Sequence, residues 1–212
     1  EPRYTPDMMP CCPDMREDFK KLYCESLDEQ IYMLFENEGD YKKLRYRFYT
    51  LMEKKMEKAY FATIRDWCHA HNLQFCGHLM AEDYVYTQIG AACANMPYYR
   101  YFDIPGIDVL RTEQNWAKMP KAPVEYMRYP LIKANGEKPN APASFELDHM
   151  MYQPPRQLAS AACQAGKEHL LCEMYAVTAP DLNFRDQMHL FDFFAAHGIN
   201  HQCCHAMFYS IK

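Results

Sequence analysis

Two glutamates of this chain occur in the same local setting. Glu82 closes the segment NLQFCGHLMAE and Glu173 closes the segment GKEHLLCE, and each segment follows a helix-like stretch and a helix-stop signal. Both segments contain a short apolar run of the strand type, so each glutamate is expected at or just past a strand end. In barrels of alternating strands and helices, the reactive groups lie at the C-terminal strand ends. Cleavage of a glycosidic bond requires two carboxylates, which predicts Glu82 and Glu173 as the catalytic pair, with either residue as the acid or the base.

A structural role is the alternative for both glutamates, because a carboxylate at a helix N-terminus complements the helix dipole. This alternative suits Glu82 better than Glu173. Cys172 and the pair Met174-Tyr175 bracket Glu173 with apolar groups. The sequence therefore favours catalysis more strongly for Glu173 than for Glu82.

Two polar residues follow strand-like segments and are candidates for contacts with a substrate. His78 comes directly after Gly77, which predicts a strand-end histidine that binds a sugar hydroxyl; a purely structural histidine is the alternative. Asp108 closes the segment YFDIPGID, and a strand end in a barrel favours contact with the pocket. The alternative for Asp108 is a local cap, the usual role of an aspartate in a turn.

Three further candidates for substrate binding lie in loops or near the end of the chain. His205 ends the last strand-like run, and Trp116 and Tyr209 present aromatic rings that can stack on the apolar C–H faces of a sugar. His201 and His205 are four residues apart and would form a metal pair with His78. No HExxH motif accompanies them, so the metal ligands stay unassigned.

The periodicity of the apolar residues predicts the elements that position these side chains. Helices are expected over residues 14–37, 40–70, 154–165 and 183–197, and strands over residues 72–77, 168–173 and 199–205. In the last helix, the residues predicted to face inward are Phe184, Met188, Phe191 and Phe194. Helices and strands alternate along the chain with short connections, which indicates parallel β-α-β units. We therefore expect parallel strands of one curved sheet with helices on its outer face.

Two segments depart from this alternation. Residues 101–108 are predicted to form a short strand that a Pro-Gly turn interrupts. Residues 112–153 contain many prolines and little periodicity, and we interpret them as a long excursion over the barrel face.

The predicted fold class is α/β, a partial (β/α)8 TIM barrel. Residues 1–39 form an N-terminal irregular segment with one helix, and residues 40–212 form the partial barrel and catalytic core. The chain starts at Glu1 rather than Met and stops after a strand-like run, so both ends look truncated. We expect that parts of a longer parent chain are needed to close the barrel.

Composition limits the class of function. The net charge is −5, without a cluster of Lys and Arg, which argues against a nucleic-acid partner. No apolar run approaches the length of a membrane span. Motifs for dinucleotide or triphosphate binding are absent from the sequence.

The ten cysteines do not follow the spacing of a disulfide scaffold. The cysteines predicted to be small core residues of a reduced protein are Cys68, Cys76, Cys93, Cys163 and Cys172. No signal peptide opens the chain. Together these features favour a reducing compartment, the cytoplasm.

Several blocks of the sequence, in order, resemble the family 106 glycoside hydrolases, the α-L-rhamnosidase-type barrel enzymes. The blocks are Asp66-Trp-Cys, Gly77-His78 with Glu82, Pro105-Gly-Ile-Asp108, SAACQAGK at 160–167, Cys172-Glu173, HGIN at 197–200 and HAMFYS at 205–210. The resemblance covers roughly residues 40–212.

The resemblance implies a (β/α)8 catalytic domain, a carbohydrate substrate of the α-L-rhamnoside type and inversion at the anomeric carbon. It also implies dependence on calcium in at least some members. A retaining barrel glycosidase is an open alternative, with Glu82 as acid/base and Glu173 as nucleophile. The non-enzymatic alternative is a barrel that binds glycans without cleaving them, or an inactive barrel fragment.

Overall fold

The computed structural model describes residues 11–82, 85–108, 143–175 and 183–205. Within these ranges it contains four strands, which are β1 (Cys76–Gly77), β2 (Ile104–Asp108), β3 (Leu171–Met174) and β4 (His201–Cys204). All pair in parallel in the order β1-β2-β3-β4, so each strand lies beside the next strand along the chain. The prediction of an α/β protein with parallel strands is confirmed, and this sheet is consistent with part of a barrel.

The α-helices of the described residues are α1 (Met15–Tyr23), α2 (Tyr41–Met56), α3 (Thr63–Ala70), α4 (Val85–Ala92), α5 (Ala143–Gln164) and α6 (Phe184–Ala196). A π-helical turn at Glu57–Ala62 connects α2 to α3, so the predicted long helix over residues 40–70 is confirmed. Short 3-10 helices lie at Ile31–Leu34 and Met96–Tyr101.

Three predicted boundaries are wrong. The first helix ends at Tyr23, because Cys24 adopts a left-handed backbone with φ of 56°. Helix α5 begins at Ala143, so the pair Pro154-Pro155 lies inside the helix and not in its first turn. Strand β2 runs through Pro105 and Gly106 without a turn.

One face of the sheet is buried against the main core, and Asp108 and Glu173 lie on the other face. In β3, Cys172 and Met174 are buried while Leu171 and Glu173 are only half-buried, as expected for side chains that alternate across a strand. The buried face belongs to the main core, which includes Ile107, Leu158, Cys172, Met174, Leu190 and Phe194. This alternation turns Glu173 away from the helices.

A second core joins the N-terminal helices. Its buried residues include Met15 and Phe19 of α1 and Leu44 and Phe48 of α2. This cluster therefore contains residues from both sides of the predicted domain boundary between residues 39 and 40.

A capping side chain defines the N-terminus of helix α6. The side chain of Asn183 accepts hydrogen bonds from the backbone N–H groups of Arg185 and Asp186, which caps the helix. Leu190 and Phe194 are buried. The inward orientation predicted for Phe184 and Met188 is wrong, since their exposed fractions are 87% and 66%.

The cysteines, all of which lie in the described ranges, form no disulfide. Cys93 and Cys172 are buried as predicted, whereas Cys76 and Cys163 are exposed, so the core prediction is wrong for these two. Among the described residues, no helix combines the length and the apolar character needed to span a membrane.

Candidate active site

The C-terminal ends of three neighbouring strands bring together three of the predicted site residues. His78 directly follows β1, Asp108 is the last residue of β2, and Glu173 lies in β3. Asp108 and Glu173 are register partners, so their side chains project from the same face of the sheet. One nitrogen or oxygen of each of the three side chains lies within 4.8 Å of those of the other two.

His78 and Glu173 are in direct contact through their side chains. The Nδ1 atom of His78 lies 2.6 Å from the carbonyl oxygen of Leu79, and a carbonyl only accepts, so Nδ1 carries a hydrogen and donates. The Nε2 atom lies 2.9 Å from Oε2 of Glu173. A hydrogen bond here needs a second proton, either on Nε2 or on Oε2.

This proton lies where a bound molecule can reach it. The side chains of His78 and Glu173 are 31% and 24% exposed. The contact can therefore donate a proton to a substrate oxygen and later accept one, which is the requirement for general acid–base catalysis.

Glu82, the other predicted catalytic carboxylate, has a different environment. It is only 3% exposed, and its oxygens accept three hydrogen bonds: Oε1 from the N–H of Leu79 (3.2 Å) and the hydroxyl of Tyr99 (3.1 Å), and Oε2 from the N–H of Asp108 (2.6 Å). Burial raises the pKa of Glu82 well above its usual range, and the three hydrogen bonds only partly offset that effect. Glu82 thus links the segment after β1 to the end of β2.

The loop between His78 and Glu82 is held by helix α4. The hydroxyl of Thr87 donates to the carbonyl of Ala81 (2.7 Å), where the backbone is left-handed with φ of 57°. The side-chain amide of Gln88 donates to the carbonyl of Glu82 (2.8 Å) and to Oε1 of Gln157 on α5 (2.7 Å). These bonds turn the Glu82 side chain inward.

Two residues that the sequence did not single out belong to this region. Cys203 is the register partner of Glu173, so Asp108, Glu173 and Cys203 form one row across β2, β3 and β4. Aligning the three strand ends would have revealed Cys203. Tyr99 donates to Glu82 from a 3-10 helix, and nothing in the sequence distinguished it from the neighbouring Tyr98 and Tyr101.

The remaining predicted residues lie elsewhere or outside the described ranges. His205 directly follows β4 with an exposed side chain and is not among the three clustered residues; its backbone N–H donates to the carbonyl of Met174 (2.9 Å). His201 is the first residue of β4, where its ring contacts His169 edge-on. Trp116 and Tyr209 lie outside the described residues.

The clustered residues do not match the ligand set of calcium. Calcium takes six to eight oxygen ligands. His78 contributes an imidazole nitrogen, and its Nε2 already faces Glu173, which leaves the carboxylates of Asp108 and Glu173 as the oxygen donors. No step of the chemistry below is therefore assigned to this metal.

Comparison of the chain with protein-family models, with curated proteins and with solved structures found no match. The resemblance to the family 106 glycoside hydrolases rests on the sequence blocks alone.

Proposed function

We propose that the chain carries the catalytic site of a glycoside hydrolase acting on α-L-rhamnosides or related deoxyhexosides. The observation that supports the proposal is the pair of register-matched carboxylates, Asp108 and Glu173, at the ends of adjacent parallel strands, with His78 in contact with Glu173. The sugar class comes from the resemblance of the sequence blocks. A (β/α)8 barrel remains part of the proposal.

The second carboxylate of the reaction is Asp108 in this proposal, not Glu82. A group that attacks or protonates a sugar must touch it, and Glu82 is 3% exposed with three hydrogen bonds on its two oxygens. Asp108 and Glu173 share one face of the sheet and have oxygens within 4.8 Å.

Retaining enzymes hold their two carboxyl groups about 5–5.5 Å apart and inverting enzymes about 6.5–9.5 Å apart. An oxygen of Asp108 within 4.8 Å of one of Glu173 is compatible with the retaining arrangement, which this proposal adopts. Oδ1 of Asp108 is buried, so Oδ2 is the oxygen that attacks the anomeric carbon in this proposal, while a proton held between His78 and Glu173 moves to the departing glycosidic oxygen. Water then cleaves the resulting ester and gives a proton back to Glu173. The sugar leaves with its original anomeric configuration.

An inverting reaction with Glu82 and Glu173, which the resemblance implies, is the second candidate. The anomer that NMR detects first after hydrolysis separates the two. Inversion would support Glu82 and Glu173 as an inverting pair, whereas retention would exclude that mechanism and agree with Asp108 as the nucleophile.

The decisive substitution is Glu173→Gln, with Glu168→Gln as the matched control. Glu168 is exposed and just precedes the same strand, so the control makes the same change of charge outside the site. Because an amide keeps the shape but does not exchange a proton at neutral pH, we expect turnover of an alkyl α-L-rhamnoside to fall about 10²–10⁴-fold. Glu168→Gln should keep wild-type turnover, and sugar binding should survive in both variants.

The leaving group provides a second check. If Glu173 supplies the proton, the loss on Glu173→Gln should be smaller for an aryl rhamnoside, whose phenol departs with little protonation. If the Glu173→Gln variant kept more than about a tenth of wild-type turnover on the alkyl substrate, the assignment of Glu173 as the proton donor would be wrong. Binding without any release of sugar by the full-length parent protein would identify a glycan-binding module instead.

A further inference from the structure

One buried carboxylate connects three parts of the chain around the candidate site. Tyr99 is fully buried, and its hydroxyl donates to Oε1 of Glu82. The other bonds of Glu82 come from the backbone N–H groups of Leu79 and Asp108. The 3-10 helix, the segment after β1 and the end of β2 therefore meet at the Glu82 side chain.

These two N–H groups belong to the backbone that carries the reactive side chains. Asp108 is itself a member of the proposed carboxylate pair. Leu79 follows His78, and its carbonyl accepts the hydrogen bond that orients the His78 ring. A change in the position of Glu82 would therefore move His78 and Asp108 relative to Glu173.

The Tyr99 hydroxyl is the side-chain donor in this arrangement. Without it, Oε1 would keep the 3.2 Å bond from Leu79 in a site that water does not reach. A buried acceptor that loses a partner is unfavourable, so the carboxylate would rotate, and both backbone bonds would weaken.

We infer that Tyr99, acting through Glu82, is a positioning residue that fixes His78 and Asp108 in the geometry of the site. Its effect on turnover rests on the proposed function. Its effect on the two backbone N–H groups does not.

The test is Tyr99→Phe, with Tyr98→Phe as the matched control. Tyr98 is the adjacent residue and is equally buried, but its hydroxyl donates to the carbonyl of Ala92 (2.6 Å) and not to Glu82. Each substitution removes one buried hydroxyl from the same 3-10 helix. The Tyr99 hydroxyl also interacts with Asn95, so the contact with Glu82 is read from the amides of Leu79 and Asp108, which both bond to Glu82.

The first measurement is hydrogen exchange at the amides of Leu79 and Asp108, followed by NMR. We expect exchange at both amides to accelerate about tenfold or more in Tyr99→Phe, and to stay at the wild-type rate in Tyr98→Phe. Glu82→Gln provides an independent variant and should also accelerate exchange at Asp108. Unchanged exchange at both amides in Tyr99→Phe would overturn the inference.

The second measurement is steady-state hydrolysis of an aryl α-L-rhamnoside. Because displacement of reacting groups affects the chemical step more than binding, we expect kcat to fall about 10–100-fold in Tyr99→Phe with KM within about threefold. Equal losses of kcat in the two tyrosine variants would contradict the inference. Faster exchange in Tyr99→Phe together with an inactive wild-type protein would reject the proposed function and support the positioning role of Tyr99.

Discussion

Glu82 and Glu173 carry the same functional group in opposite environments. Glu173 lies at the surface of the sheet and contacts His78, whereas Glu82 is enclosed by Leu79, Tyr99 and Asp108. The strand pattern predicted that both glutamates follow strand ends. It did not predict the inward turn of Glu82, which depends on the left-handed backbone of Ala81 and on hydrogen bonds from α4.

Glu82 should make stability depend on pH. Its folded-state pKa lies above the unfolded value of about 4.3, so the folded state binds this proton more tightly than the unfolded state. The stabilising contribution is therefore complete below about pH 4 and is lost as pH rises towards the folded pKa, by about 1.4 kcal/mol per pH unit.

Urea unfolding between pH 4 and pH 8 measures this effect, with Glu82→Gln as the comparison because an amide does not titrate. We expect the wild-type free energy of unfolding to fall with pH more steeply than that of Glu82→Gln. Parallel curves for the two proteins would show that Glu82 has an ordinary pKa.

At the scale of elements, sequence periodicity predicted the existence and order of the strands and the extent of the long helix, because alternation and helical spacing report which face is buried. The first strand is shorter than predicted, since only Cys76–Gly77 of residues 72–77 form β1. It failed at boundaries that depend on a single backbone conformation or on packing partners. Cys24 ends α1 through a positive φ, and Pro105 and Gly106 continue β2 where their residue types suggest a turn. The site was predicted only in part, because His78, Asp108 and Glu173 are distant in sequence and meet through strand order.

Gly106 of β2 lies close to residues of both neighbouring strands, β1 and β3. A Cβ atom on this residue would lie 2.9 Å from the carbonyl oxygen of Gly77 and 2.9 Å from Cδ2 of Leu171. The Leu171 side chain can rotate, but the Gly77 backbone must move, and it precedes His78. We expect Gly106→Ala to destabilise the fold by about 1–3 kcal/mol in urea unfolding and to lower hydrolysis.

Gly166→Ala is the comparison for this prediction. A Cβ atom there has no neighbour within 4 Å, so its cost comes from the left-handed backbone with φ of 66°, about 1 kcal/mol. Gly166→Ala should destabilise the protein without a loss of turnover. A Gly106→Ala variant with wild-type stability would contradict the close contact between β1 and β2.

The whole molecule presents a sheet with two outer strands, β1 and β4, among the described residues. All four residues of β4 are exposed. An exposed outer strand offers its backbone N–H and C=O groups to another chain. This edge is the surface that the rest of a barrel would cover in the proposed fold.

We expect the 212-residue chain to self-associate through β4 when expressed alone, because strand edges pair readily. Gln202→Lys adds a charge on this strand and should shift sedimentation velocity profiles towards the monomer. Gln164→Lys makes the same change on the exposed end of helix α5 and should leave association unchanged. A cooperatively melting wild-type monomer at every concentration tested would reject this prediction.

The order β1-β2-β3-β4 also has a consequence for synthesis on the ribosome. Proteins are made from the N-terminus, and early segments can fold before later ones emerge. Among the four described strands, each new strand finds its neighbour already present at the growing edge, and none has to insert between two earlier ones. A nascent chain that has emerged through Asp108 already contains both ends of its hydrogen bond with Glu82. The three groups that donate hydrogen bonds to the Glu82 carboxylate, from Leu79, Tyr99 and Asp108, are therefore all translated before Glu173.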